Sequence, residues 1–280
     1  MDYDPTRKSL YTPEWQDPLG FGPGWTRDQI CAELSRLAYF RIEEPGGDPR
    51  LDPALTAAGF SAAKPFDAEK GAHAFGTVGP DGTRYVAFRG TQAGKWRDLR
   101  SDLDARTDLF SGDATAHHGF LAAYRTLEAA ILPWLGDGAG RPLVATGHSL
   151  GAAMATILAA VRSEAELVTF GSPRVGNPAF AALFAGRSVR RYVDCTDAVT
   201  TVPLEGSRYT HLAGERYIDS TGVIAEAPSP DSVAEDRRAG RAEYLRQHAW
   251  KVWRNVLVRE LADHAPINYV SALLGLRGND

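Results

Sequence analysis

Residues 147–151 read Gly-His-Ser-Leu-Gly, after a strand-like run, Pro-Leu-Val-Ala-Thr, at 142–146 and before a run of small helix-forming residues at 152–161. A chain that passes from strand to helix within five residues must turn sharply. Gly147 and Gly151 permit that turn, and His148, Ser149 and Leu150 occupy it. Ser149 is thereby displayed at the carboxyl end of a parallel strand, and the amino terminus of the following helix favours negative charge developing beside it. The five-residue pattern is weak by itself; its setting between strand and helix makes Ser149 a nucleophile candidate.

The rest of the chain supports that setting. Residues 73–78 and 83–89 are short β-rich runs around a Gly-Pro-Asp-Gly turn, which predicts a hairpin. Thr26 opens a helix in which Ile30, Leu34, Leu37 and Ala38 form a buried face, and residues 119–132 form another, with Pro133 near its end. Further strands are expected at 143–146, 166–170 and 189–193. This alternation predicts an α/β fold, with a mostly parallel sheet covered by helices on both faces. Residues 1–25 read as an irregular segment and 26–280 as one domain. A long helix is expected over 232–262, with Leu245, Ala249, Val252, Trp253, Val256, Leu257 and Leu261 on one face, and the Trp250 and Trp253 pair reads as core or pocket wall.

The 280 residues carry a net charge of −4 with scattered basic residues, so no nucleic-acid partner is expected. No apolar run reaches the roughly 20 residues of a membrane span, and residues 1–18 lack the apolar core of a secretory signal. Cys31 and Cys195 are far apart in sequence and read as reduced thiols. Together these predict a cytoplasmic protein, with unconventional secretion left open.

A serine nucleophile needs a histidine base and a carboxylate to orient it. His148 adjoins Ser149 on the turn and would point elsewhere, while His73 and His248 fall inside predicted elements. His264, just before Pro266, fits the chain order Ser, acid, His, and His211 is its rival. Asp194 and Asp197 both follow the strand at 189–193, and spacing does not separate them. An oxyanion hole would use the backbone N–H of Leu150 and a second N–H from the strand end Phe88-Arg89-Gly90-Thr91. His117 and His118 are adjacent without a third ligand, so no metal and no cofactor is assigned.

Five ordered motifs resemble the class 3, fungal-lipase-like branch of the α/β-hydrolases. They are Ala-Phe-Arg-Gly-Thr at 87–91, His-His-Gly-Phe at 117–120, Thr-Gly-His-Ser-Leu-Gly-Ala-Ala at 146–153, Thr-Phe-Gly-Ser-Pro-Arg-Val-Gly-Asn at 169–177, and Asp197-Ala198-Val199 running to Pro203. The resemblance covers roughly residues 30 to 275. It implies a serine hydrolase of lipid or other carboxylic esters, with Ser149 as nucleophile, Asp197 as acid, His264 as base and Thr91 as the oxyanion-hole hydroxyl residue. It demotes Asp194 and matches His211 to a histidine that is usually not the base. Having neither a signal peptide nor several disulfides, the chain looks more like bacterial members. The family's lid falls at about 92–100, where Trp96 and Leu99 are the only large apolar residues. So small an apolar face implies transient contact with a lipid surface and modest interfacial activation. A phospholipase, a feruloyl-type esterase and a catalytically silent scaffold would share these motifs.

Overall fold

Successive residues of a strand point to opposite faces, so a strand buried on both sides reads as an unbroken apolar run. The strands at 84–88, 143–148 and 166–170 approach this: they are buried along almost their whole length, with Arg84, Thr146, His148, Glu166 and Thr169 the polar interruptions. A computed structural model describes residues 2–40, 47–68, 71–90, 106–136, 140–206, 208–248, 250–251 and 253–277. Thr91 and the lid candidates Trp96 and Leu99 lie outside the described residues.

In chain order the elements are α1 (Arg7–Tyr11), α2 (Arg27–Leu37), α3 (Leu51–Ala57), β1 (Lys64–Asp67), β2 (His73–Val78), β3 (Arg84–Phe88), β4 (Thr107–Ser111), β5 (Ala114–His117), α4 (His118–Leu135), β6 (Leu143–His148) and α5 (Leu150–Val161). There follow β7 (Glu166–Phe170), α6 (Pro178–Ala182), β8 (Val189–Asp194), β9 (Glu215–Ile218), β10 (Ile224–Glu226), α7 (Pro230–Gln247), α8 (Arg259–Ala262) and α9 (Pro266–Leu273). Among the described residues, eight strands form one sheet in the order β1-β2-β3-β6-β7-β8-β9-β10, and β4 with β5 forms a separate hairpin. Pairing is parallel from β3 to β9 and antiparallel at both edges.

Strand parity divides the core in two. Val86, Phe88, Ala145 and Leu167 face α4 and α5, where Phe120, Leu127 and Ile157 complete one apolar cluster. Tyr85, Ala87, Val144, Val168 and Phe170 face the other way and join Leu34 and Leu37 of α2 and Val270 of α9. The fold is an α/β-hydrolase arrangement, and the carboxyl ends of β6, β7 and β8 lie side by side.

Two local expectations change. The segment 1–25 is not wholly irregular: α1 forms behind an N-cap in which the Thr6 side chain accepts from Ser9 N–H at 3.3 Å. The helix expected over 232–262 stops at Gln247. Beyond it the chain folds back, because the Tyr244 hydroxyl donates to the Val256 carbonyl at 2.7 Å and Val256 N–H donates to the Pro5 carbonyl at 2.9 Å. The amino-terminal arm thus supplies backbone partners that a continued helix would not have met. Val256 is buried, whereas Leu245, Trp253 and Leu257 are exposed, so the apolar residues of this stretch were not one helical face.

Candidate active site

Ser149 sits between β6 and α5 with φ 60° and ψ −128°, a conformation that non-glycine residues avoid at a cost of about 1–3 kcal/mol. Close packing holds it there. A Cβ on Gly147 would lie 2.5 Å from the Gly151 carbonyl, and one on Gly151 would run into the Phe88 carbonyl at the end of β3. The Ser149 N–H donates to Phe170 O at 3.0 Å, which locks the turn to the end of β7. Ser149 is fully buried, and its Oγ has no hydrogen-bond partner among the described residues. Leu150 is the first residue of α5, so its backbone N–H lies at the helix amino terminus beside the serine. The segment after β3 is equally near: a Cβ on Gly90 would stand 3.1 Å from the Ser149 Cβ.

The candidate acid and base, Asp197 and His264, meet at the same end of the sheet. His264 Nδ1 lies 2.9 and 2.8 Å from the two carboxylate oxygens of Asp197, and both residues are buried. Asp197 follows β8, and His264 lies between α8 and α9 rather than at the end of a long helix. The carboxylate has two further donors, the Tyr269 hydroxyl at 2.6 Å to Oδ2 and the Val199 N–H at 2.8 Å to Oδ1. A carboxylate so held can only accept, so His264 donates through Nδ1 and presents Nε2 as its basic nitrogen. Gly171, at φ 58°, lets β7 pass beneath this pair; a Cβ there would lie 2.7 Å from Asp197 Oδ2.

His148 is a support rather than a base. Its Nε2 donates to the His264 carbonyl at 2.8 Å, which leaves Nδ1 to accept from the Tyr39 hydroxyl at 2.7 Å. Burial, with the nearby positive charge of a protonated His264, holds the His148 imidazole well below its ordinary range, so it stays neutral. Tyr39 also accepts a hydrogen bond from the Gly90 backbone and so ties the end of β3 to the turn.

The rivals are placed elsewhere. Asp194 is buried in an ion pair with Arg277, whose Nη1 donates to Oδ1 at 3.0 Å. His211 donates from Nε2 to the Thr200 carbonyl at 2.7 Å, and burial, then the charge of Arg191, depresses its basicity. His117 caps α4 by accepting from Gly119 N–H at 3.1 Å, and His118 pairs with Asp108 at 2.8 Å, so the two adjacent imidazoles serve separate structural contacts. Sequence reasoning did not single out Tyr39, Tyr269 or Gly171. Gly171 stands inside the motif at 169–177, and that position was the available signal.

The family profile of class 3 lipases matches residues 85–207. The chain is 29% identical over 161 residues to secreted mono- and diacylglycerol lipase A of Penicillium cyclopium, covering 54% of this chain and 52% of that protein. It is 34% identical over 122 residues to secreted mono- and diacylglycerol lipase 1 of Fusarium solani, covering 40% and 36%. The chain thus spans about half the length or less of these curated relatives. Among solved structures, a lipase of Rhizopus microsporus var. chinensis is 26% identical with a TM-score of 0.59, over 75% of this chain and 83% of that one. The secreted relatives overturn the expectation of a cytoplasmic protein. The thiols on which it partly rested are core atoms: Cys31 and Cys195 are fully buried and unbridged, and burial pushes both thiols up, out of the reactive range. Such cysteines carry no information about compartment. In its matched profile over residues 85–207, its sheet and its strand-to-helix serine turn, the chain is similar to the class 3, fungal-lipase-like lipases of the α/β-hydrolase fold.

Proposed function

We propose that the protein is a serine carboxylic-ester hydrolase that cleaves acylglycerols or other fatty-acid esters through an acyl-enzyme. The observation that carries this reading is the buried His264–Asp197 pair at the same sheet end as a serine held at φ 60°. His264 Nε2 takes the Ser149 proton as Oγ attacks the ester carbonyl, and Asp197 orients and stabilises the imidazolium. The tetrahedral oxyanion is bound by the N–H groups of Leu150 and Thr91, each contributing roughly 3 kcal/mol to the transition state. Collapse expels the alcohol, which receives the proton from His264, and water repeats the cycle to free the acid. Residues 92–100 form the lid, with Trp96 and Leu99 as its apolar contacts. The secreted relatives support an extracellular setting.

The test is hydrolysis of p-nitrophenyl esters from acetyl to palmitoyl, with fluorophosphonate labelling alongside, for wild type and Ser149→Ala. Turnover and labelling that both vanish in the variant, with kcat down on the order of 10⁶-fold, support the assignment. Equal labelling of both proteins defeats it.

A further inference from the structure

The loop from α7 towards His264 carries chemistry that neither the fold nor the catalytic pair uses. Its backbone is tied locally, Lys251 N–H donating to His248 O at 3.1 Å and Asn255 N–H to Lys251 O at 2.8 Å. Its inner side is fixed: Asn255 and Val256 are buried, and Arg7 N–H donates to the Arg254 carbonyl at 2.9 Å. Its outer side is two indoles in water. Trp250 is 67% and Trp253 78% exposed, and Leu257 is 56% exposed beside them in sequence. These exposed apolar residues sit on a stretch tied by its backbone to the body of the fold, and exposed apolar surface of this kind marks interaction sites.

Charge says what the patch meets. Residues 244–259 contain Arg246, Lys251, Arg254 and Arg259 and no Asp or Glu, in a chain whose net charge is −4. Arg259 is buried against Asp263, and Arg246 is paired with Glu243. Lys251 and Arg254 form no ion pair among the described residues; the Lys251 ammonium lies 4.6 Å from the Trp250 ring centroid. The arm brings two carboxylates, Asp2 and Asp4, to the cavity that Lys251 and Arg254 also line, and Asp4 is turned towards the arm, accepting from Thr6 N–H at 2.8 Å and from the Ser9 hydroxyl. Indoles at headgroup depth with cations over the phosphates are how proteins lie on an anionic lipid surface.

We propose that Trp250, Lys251, Trp253, Arg254 and Leu257 are an interfacial anchor, by which the protein adsorbs to a lipid surface bearing anionic headgroups, separately from the lid. This rests on the ester-hydrolase reading for its purpose, but its test reads binding and not turnover.

Full-length Ser149→Ala protein is mixed with phosphatidylcholine vesicles with or without phosphatidylglycerol, and the bound fraction is measured by flotation. Adsorption to the anionic vesicles is expected. Trp250→Ala/Trp253→Ala in that background should lower the partition coefficient at least tenfold, and Lys251→Ala/Arg254→Ala about fivefold per cation on anionic vesicles only. Both Trp positions are exposed, so the folded state tolerates the change, and turnover of a soluble short-chain ester by the Trp variant with Ser149 intact should equal wild type. Absent binding, or binding indifferent to the Trp substitutions, overturns the anchor. So does a lipid-free dimer, by sedimentation, that the Trp substitutions convert to monomer, because the patch would then be a contact between copies. Failure of wild type to hydrolyse any ester would instead defeat the catalytic reading, and the vesicle result would stand.

Discussion

The Asp263 carboxylate accepts from both the N–H and the hydroxyl of Thr196, at 2.9 and 2.8 Å, one residue before the Asp197–His264 pair on each of the two segments. The two segments are therefore cross-linked twice in succession. Arg259 donates to the same carboxylate at 3.1 Å, and the Tyr3 hydroxyl does so at 2.7 Å. Thr196→Val removes one of these donors from a buried charge, so unfolding free energy should fall by about 1–3 kcal/mol, measured by urea denaturation. An unchanged midpoint would show that the outer cross-link contributes nothing.

Among the described residues Tyr269 is the one side chain besides His264 that donates to Asp197, and its hydroxyl also accepts from Asp194 N–H at 3.1 Å. Tyr269→Phe should lower kcat by about 10- to 100-fold, as expected for a lost hydrogen bond to a charged group, and leave KM within twofold or so. A fall confined to KM would place Tyr269 at the substrate instead of behind the acid.

At Gly171 a methyl group would press on Asp197 Oδ2 and occupy a left-handed backbone conformation. Gly171→Ala should cost about 1–2 kcal/mol of stability and, by displacing Asp197, the proposed acid, lose far more activity than stability. Circular dichroism and kcat/KM on one preparation separate the two effects.

Ser149, the proposed nucleophile, is strained and its hydroxyl lacks a hydrogen-bond partner among the described residues. Ser149→Gly should therefore abolish fluorophosphonate labelling while raising the unfolding free energy by about 1 kcal/mol. A less stable glycine variant would mean that the turn is comfortable with serine.

Burial keeps the imidazole of His211 neutral in the folded protein, while the unfolded chain protonates it below about pH 6.5. The folded state thus binds fewer protons below that pH, and stability declines as pH falls from about 6.5, with a slope of up to about 1.4 kcal/mol per unit from this residue. His211→Gln, which can still donate to Thr200, should lose that part of the slope. Urea midpoints between pH 8 and pH 5 for the two proteins give the difference directly, and parallel curves would contradict it.

What could be read from the chain was local. The turn around Ser149, the two-sided strands at 84–88 and 166–170, and the capped start of α2 each announce themselves within a dozen residues, because glycine sterics, strand parity and N-capping act over that range. His264 was legible through chain order. Tyr39 and Tyr269 were not assigned, since their partners lie 109 and 72 residues away and a lone tyrosine has no spacing to betray it. The helix over-extended past Gln247 failed for a related reason: exposed Trp253 and Leu257 mimic a buried stripe, and residues 5–7, which redirect the chain, come from its other end.

Those first residues have a further consequence. Asn268 grips Asp4 through both its carbonyl and its amide, at 2.8 and 2.9 Å across 264 positions, and its amide also holds the Ala262 carbonyl at 2.8 Å. The bed of His264 is thus knotted from the two extremities of the chain, and contacts of such long range are completed late in folding. Turnover would then act as a receipt for finished assembly: a chain caught with its sheet built but its ends apart would look folded to a spectrometer and be silent to a substrate.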